Sequence, residues 1–185
     1  FWPDPTIFEE VEFSTRVLLE RFQMMAFLNK GLEIRVRDER PDATIEPTTF
    51  KYAGGIIDFV KHNNRSKEAL FSKVGYFEQA EDDQEVEIAF QWNTGYNTDG
   101  IHSFANGINT IEGGMHEEGF KKALTNVVNK YARAKGALKE KDPNLQGEDM
   151  REGLTAIISV RLRDPQFEGQ TKGKLGNTEM RSLVE

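Results

Sequence analysis

The chain has 185 residues, a formal net charge of −7 and no cysteine, and its length and ordinary 37% hydrophobic content predict one folded domain spanning 1–185. The absence of cysteine excludes disulfides, thiolate metal sites and cysteine nucleophiles, and it favours a reducing, cytoplasmic compartment. The acidic balance argues against a protein that coats nucleic acid over its whole surface, and no apolar run approaches the roughly 18 residues of a membrane span.

The N-terminal segment predicts one helix. Pro3 and Pro5 lie in a stretch without periodicity, and this start indicates that the chain continues from an upstream segment. Ser14 is a suitable N-cap for a helix that runs to about Asn29, and Gly31 is placed to end it.

Two strands and a short helix follow. Apolar and charged residues alternate over 32–36, the period of two expected of a half-buried strand, and 48–52 is predicted to pair with it across the loop at 40–47. A glycine pair then opens a helix that ends near Asn64.

The middle of the chain predicts β structure. Strands are expected at 74–77, at 86–92 and at 101–104, with a solvated acidic turn at 81–83. A turn rich in asparagine, glycine and aspartate separates the last two strands.

The C-terminal part predicts a long helix from about His116 to Gly136, a strand at 156–162, a polar loop at 164–176 and a short helix at about 177–185. The long helix has an apolar face with 3.6-residue spacing, formed by Phe120, Ala123, Leu124, Val127, Val128 and Tyr131. Because helices interleave with strands but short turns join the middle strands, we expect an α+β two-layer sandwich with a mixed sheet.

Most catalytic patterns are missing. His116 would need a second histidine four residues later to form a zincin site, and Phe120 stands there instead, so no metal site is predicted. His62 and His102 share no ligand spacing and are interpreted as ordinary histidines. Neither Ser103 nor the mid-strand serine at 159 lies in the Gly-x-Ser-x-Gly turn of a catalytic serine.

The loop at 169–175 is the first candidate site. It resembles a Walker loop only superficially, because it has three spacers where four are needed and Leu175 where Ser or Thr is needed. Two glycines, Gln170, Lys172 and Lys174 could still bind a phosphate through positive charge, donors and close backbone approach. The alternative is an ordinary solvated loop.

The basic stretch at 121–141 is the second candidate site. It contains six lysines and Arg133 against the single Glu140, in a chain that is otherwise acidic. The predicted helix places Lys121, Lys122, Lys130 and Arg133 outside its apolar face, where they could contact a phosphate backbone or be simply solvated.

Seven strings, spread over essentially the whole chain, carry a family resemblance. They are FWPD at 1–4, AFLNKG at 26–31, QWN at 91–93, SFAN at 103–106, EGGMHEEGF at 112–120, REGL at 151–154 and PQFEGQTK at 165–172. Together they resemble the transducer region of type IIA DNA topoisomerase ATPase subunits, above all bacterial gyrase B subunits. Met115 stands where the family usually has Thr, and Gly173 stands where relatives often have a polar residue.

This resemblance implies a fold like the second domain of ribosomal small-subunit protein five, with a left-handed strand–helix–strand crossover that the general handedness rule would not predict. It also implies flanking regions: an upstream ATP-binding domain of the GHKL type, which carries the Mg-binding Asn and the catalytic Glu, and a downstream metal-binding TOPRIM region that cleaves DNA. ATP and Mg would therefore be bound mainly outside this chain, which alone is expected to be inactive.

The resemblance assigns roles to the two candidate sites. Gln170 and Lys172 would reach into the neighbouring ATP site and bind the γ-phosphate, and Lys172 would stabilise the transition state of hydrolysis. Lys121 matches a basic family residue thought to face DNA in a cavity, which the rest of the basic face, Lys122, Lys130 and Arg133, would help to line. Implied partners are DNA, a second copy of the gyrase B subunit, which dimerises through the ATPase region, and the gyrase A subunit in a heterotetramer that supercoils DNA negatively.

Three alternatives stay open at this point. The B subunit of topoisomerase IV shares most of the strings, and a MutL-type mismatch-repair clamp shares the fold and a loop lysine. An RNA-binding module of the ribosomal-protein fold is disfavoured by the net charge of −7.

Overall fold

A computed structural model describes residues 2–41, 43 and 45–185. Phe1 of the first string and two positions of the loop predicted at 40–47 lie outside the described residues. Where the sequence predicts one domain, the chain groups into two compact units, the first ending at Gly55 and the second spanning Ile56–Glu185. No described helix has both the length and the apolar character needed to cross a membrane.

The first unit contains helix α1 (Thr15–Leu28) and the antiparallel strands β1 (Glu33–Val36) and β2 (Thr48–Lys51). The ring of Phe27 stacks on Tyr52 with 3.7 Å between centroids, and the Tyr52 hydroxyl accepts a hydrogen bond from Gln23 Nε2 at 2.7 Å. Gly31 adopts a φ of +84° after the helix, as predicted for its terminator. Ser14 holds the N-cap position, but its side chain makes no capping hydrogen bond.

The second unit begins with helix α2 (Ile56–Asn64) and is built on a five-stranded sheet. Its strands are β3 (Gly75–Glu81), β4 (Gln84–Trp92), β5 (Ile101–Ala105), β6 (Ile108–Asn109) and β7 (Leu154–Leu162), in the spatial order β3-β4-β7-β5-β6. The β5–β7 pair is parallel and the other pairs are antiparallel. The predicted mixed sheet is therefore confirmed.

Helix α3 (Met115–Ala134) and the short helix α4 (Gly147–Arg151) lie between β5 and β7 in sequence, and helix α5 (Thr178–Val184) ends the chain. Alternate residues of β7 from Leu154 to Leu162 pack into one apolar core with Phe120 of α3 and Met180 of α5. Helices α3 and α5 thus form the helical layer of the predicted α+β sandwich.

Helix α2 packs on the opposite face of the sheet, which is apolar at the ring pair of Phe59 and Phe104 and polar at the C-terminal end of the helix. Asn64 at the end of α2 accepts a hydrogen bond from Thr155 Oγ1 at 2.7 Å and from Asn93 Nδ2 at 3.1 Å, and it donates to Gln91 Oε1 at 3.0 Å. All four side chains are buried, so these bonds offset the cost of removing the polar groups from water. Sequence periodicity gives no indication of this network.

The apolar face predicted for α3 is correct only in its first half. Phe120 is buried and Leu124 packs against the core, but Val127 is 64% exposed and Tyr131 is 63% exposed. The 3.6-residue pattern reports which side of a helix is apolar, whereas burial also requires something to cover that side.

Candidate functional site

The loop at 164–176 contains a β-hairpin that the sequence does not predict. Strands β8 (Phe167–Glu168) and β9 (Lys174–Leu175) pair antiparallel, which leaves residues 169–173 as the tip. Gly169 has a φ of +74° and Lys172 a φ of +55°, and the Lys172 amide donates a hydrogen bond to Gly169 O at 3.3 Å. A left-handed conformation is uncommon for a non-glycine residue, so the tip is a defined turn.

The two lysines of this hairpin differ in their surroundings. Lys174 Nζ lies 3.1 Å from Glu168 Oε2, an ion pair that neutralises it. Lys172 is exposed, with Nζ 5.9 Å from the centroid of the Phe167 ring, and it has no ion pair among residues 2–41, 43 and 45–185. Gln170 is exposed at the same tip. The tip therefore offers one unneutralised cation beside one amide.

Asn177 stabilises the base of the hairpin. Its side chain is 3% exposed, accepts a hydrogen bond from Gln166 N at 2.6 Å, and donates to Asp164 O at 3.2 Å and to Glu179 Oε1 at 2.7 Å. The bond from Asn177 is the main cause that lowers the pKa of the Glu179 carboxyl. From its position before α5, Asn177 looks like an N-cap, but its side chain makes no capping bond.

Backbone hydrogen bonds attach this hairpin to the segment that precedes α3. The Glu112 amide donates to Gly173 O at 2.8 Å, and the Leu175 amide donates to Gly113 O at 3.1 Å. Gly114 forms a parallel β-bridge with Leu175, whose side chain is fully buried. The glycine pair of the string at 112–120 thus lies directly against the hairpin.

The basic residues of α3 do not all share one face, because Lys122, Lys130 and Arg133 lie within about 80° of one another around the helix whereas Lys121 lies apart from them. Lys121 and Lys130 are nine residues apart, about two and a half helical turns, and so they point to opposite sides. Lys121 Nζ pairs with Glu117 Oε1 at 2.6 Å and Lys122 Nζ pairs with Glu185 at 2.7 Å, whereas Lys130 is exposed and has no ion pair in the part of the chain that the structure describes.

Arg133 has a different environment from the three lysines. Its guanidinium donates to Lys139 O at 2.7 Å, Asp142 O at 2.9 Å and Asn144 Oδ1 at 2.7 Å. These bonds hold the loop after α3 against the helix. Of the four predicted basic residues, Lys121 and Lys122 are each in an ion pair, Lys130 is exposed, and Arg133 is hydrogen-bonded to the loop after α3.

A polar cavity of about 710 Å³ lies beside the first turns of α3. Glu117 and Lys121 line it, and Glu117 Oε2 accepts a hydrogen bond from Ser103 Oγ at 2.8 Å. Ser103 Oγ lies 2.7 Å from Thr110 Oγ1, which lies 3.2 Å from His116 Nε2. Burial lowers the pKa of His116 to about 4, although the nearby Glu117 acts in the opposite direction. The described residues include no cluster of three or more histidine, aspartate or glutamate side chains that could hold a metal.

Solved structures define the class of this fold. The 43K ATPase domain of Thermus thermophilus gyrase B, solved in complex with an aminocoumarin, matches with a TM-score of 0.81 and 36% identity over 97% of this chain and 47% of its own. The topoisomerase IV ATP-binding domain of Francisella tularensis matches with a TM-score of 0.79 and 25% identity over 100% of this chain and 48% of its own. The chain has the fold of about half of the ATPase region in these type II DNA topoisomerases.

The family follows from the sequence. The family model for DNA gyrase B matches residues 55–185, and the chain belongs to the DNA gyrase B family. The DNA gyrase B subunit of Mycobacterium tuberculosis strain H37Rv is 49% identical over 100% of this chain and 32% of its own length. The novobiocin-sensitive DNA gyrase B subunit of Streptomyces niveus is 50% identical over 100% of this chain and 30% of its own. The chain thus spans about a third of these relatives, and the family assignment decides against the MutL and RNA-binding alternatives.

Proposed function

We propose that this chain is the transducer segment of a gyrase B subunit, which couples ATP binding and hydrolysis to the passage of a DNA duplex. Relatives that are named as DNA gyrase B subunits and align over the whole chain support this assignment. The observation that carries it is the hairpin tip, where Lys172 presents an unneutralised cation on a turn stabilised from below by Asn177.

Lys172 and Gln170 bind the γ-phosphate of ATP held by an upstream ATP-binding domain. A cation placed beside the oxygens that gain negative charge during phosphoryl transfer stabilises the transition state. Lys172 is therefore the catalytic residue that this chain supplies. ATP and Mg are bound mainly by the upstream domain, as the family resemblance implies, and the tip supplies donors and a cation to the γ-phosphate.

The same contact works as a switch. While ATP is intact, the tip and the nucleotide domain are connected through the γ-phosphate, and hydrolysis removes that connection. Making or losing this connection moves the two domains as rigid bodies, and this movement opens or closes a dimer gate in the ATPase regions of two B subunits. The gyrase A subunit completes the assembly in the cytoplasm, and the overall reaction is ATP-dependent negative supercoiling.

The lysines of α3 contribute to the DNA cavity. Lys130 is exposed without an ion pair among the described residues, and Lys121 and Lys122 each carry one carboxylate partner that a phosphate could replace. Arg133 is predicted to line the same cavity, and its guanidinium donates hydrogen bonds to the loop that follows α3.

A pair of variants in the complete subunit tests the sensor. Lys172→Ala is expected to lower ATP hydrolysis by about 10²- to 10³-fold, the scale of other transition-state donors, with a much smaller loss of nucleotide binding. Lys174→Ala is the matched control, because it removes a lysine of the same hairpin whose charge Glu168 already neutralises. Hydrolysis by this variant should stay within a few-fold of the parent. Hydrolysis by Lys172→Ala at nearly the parental rate would show that Lys172 is an ordinary solvated residue.

A further inference from the structure

The hairpin that bears Lys172 and the helix that bears Lys121 are separate in sequence but continuous in structure. Gly173 directly follows Lys172, and its carbonyl accepts a hydrogen bond from the Glu112 amide. The Leu175 amide donates a hydrogen bond to Gly113 O. Helix α3 begins two residues later at Met115, and its first intrahelical bond runs from the Glu118 amide to Gly114 O at 3.0 Å. A displacement of the tip that also moves Gly173 and Leu175 must therefore break these bonds or move the start of α3.

The first turns of α3 carry this connection to Lys121. Glu117 stands on the first turn, and its two carboxylate oxygens bind Ser103 Oγ on β5 and Lys121 Nζ. The position of the Lys121 ammonium is thus set by the first turn of the helix and by the sheet together. Because both contacts are short and partly buried, solvent screens them less than an exposed surface pair.

Gly114 is the position where the hairpin and α3 come closest. Its φ is +139° and its ψ −171°, a conformation that is essentially restricted to glycine. A Cβ at this position would lie 2.4 Å from Leu175 O, 2.6 Å from Leu175 N and 2.9 Å from Leu175 Cα. Any side chain would force β9 away from the 112–114 segment.

We infer that Gly114 is a positioning residue that couples the Lys172 tip to α3. Binding of a γ-phosphate at the tip then changes the position of the Lys121 ammonium in the DNA cavity. This inference rests on the proposed function for its ligand. It adds the route within the chain: tip, β9, the 112–114 segment, the first turn of α3 and Glu117. Coupling is a relation between the tip and the start of α3, so its test measures both.

Hydrogen exchange in the complete, unsubstituted subunit tests the route directly. Binding of a non-hydrolysable ATP analogue should slow exchange in peptides that contain the tip at 169–172, in the Leu175 and Glu112 amides and in the Glu118 amide, and Lys172→Ala should remove all of these effects. Protection that stops at the tip would overturn the coupling and leave the proposed function standing. No protection at the tip would overturn both.

A matched pair of glycine variants tests the role of Gly114. Gly114→Ala and Gly136→Ala both place alanine at a positive φ at an end of α3, but a Cβ at Gly136 meets nothing within 4 Å. We expect Gly114→Ala to lower the ratio of DNA-stimulated to basal ATPase by about fivefold or more, the lower range of typical coupling, with Gly136→Ala near the parent. A general loss of stability would lower both rates and leave their ratio unchanged. Equal ratios in the two variants would overturn the inference.

Discussion

The Glu117 carboxylate binds Lys121 with one oxygen and Ser103 with the other, at 2.6 and 2.8 Å. Ser103 continues the contact through Thr110 to the buried imidazole of His116. Four successive hydrogen bonds thus connect the Lys121 ammonium to the buried, neutral imidazole of His116, beside the polar cavity next to α3. The family string at 112–120 contains the helix residues Glu117 and His116, and they are joined through Ser103 and Thr110, which lie outside that string.

The buried His116 predicts how stability depends on pH. Burial lowers its pKa from 6.5 to about 4, so between these values the unfolded chain binds a proton that the folded chain does not. The free energy of unfolding should therefore fall as the pH is lowered from 6.5 to 4 and should be flat with respect to this group above 6.5, a contribution of at most about 3 kcal/mol. Urea denaturation of the parent and His116→Asn from pH 4 to 8 measures it. Since only the parent has this titration, its curve should be the steeper one, and parallel curves would contradict the prediction.

Asn177 predicts a structural effect on the hairpin. Asn177→Ala removes a buried side chain with three hydrogen bonds and leaves the Gln166 amide without its acceptor, which should cost about 1 to 3 kcal/mol of unfolding free energy. Asn126→Ala, at an exposed position of α3, is the control and should stay within about 0.5 kcal/mol. Chemical denaturation of both variants checks this, and equal losses would show that Asn177 does not stabilise the hairpin.

Sequence patterns predicted the long elements and missed the short contacts that shape the site. Helix α3 was expected from about His116 to Gly136 and spans Met115–Ala134, because a long apolar period is a strong signal. Strands β8 and β9 have two residues each, too short for any period to show. The engagement of Arg133 with loop carbonyls was also missed, since the path of a loop over a helix depends on tertiary contacts. The roles of Gln170 and Lys172 rest on the family resemblance and remain predictions.

The isolated chain should not bind ATP tightly. The tip offers Lys172 and Gln170 as γ-phosphate contacts, and two charge-assisted hydrogen bonds of about 1.5 to 3 kcal/mol each do not exceed the cost of immobilising a nucleotide. Isothermal titration calorimetry of the chain alone should therefore show a dissociation constant weaker than about 1 mM. The complete subunit serves as the positive control. Micromolar binding by the isolated chain would reveal a nucleotide pocket of its own.

The exposed lysines of α3 should act on DNA and not on ATP chemistry, so the double variant Lys122→Glu with Lys130→Glu in the complete subunit should keep its fold and its basal ATPase. Lys122→Glu replaces a partly exposed ion pair with two carboxylates at the C-terminal end of the chain, which should cost about 1 kcal/mol, and Phe120 and Leu124 of the core are untouched. Lys61→Glu with Lys73→Glu is the control, since it makes the same change in net charge at exposed positions outside α3.

The DNA response should separate the two double variants, because attraction between the lysines of α3 and DNA phosphates weakens as salt rises. For the α3 variant we expect the DNA concentration that half-maximally stimulates ATPase to rise most at low salt. This variant cannot neutralise about two of the phosphates. The ratio of its half-maximal DNA concentration to that of the parent should therefore fall by about tenfold between about 50 and about 200 mM salt. Titrations of DNA-stimulated ATPase at these two salt concentrations provide the measurement. If the α3 variant and the control respond alike at low salt, net charge alone accounts for the effect, and Lys122 and Lys130 do not contact DNA.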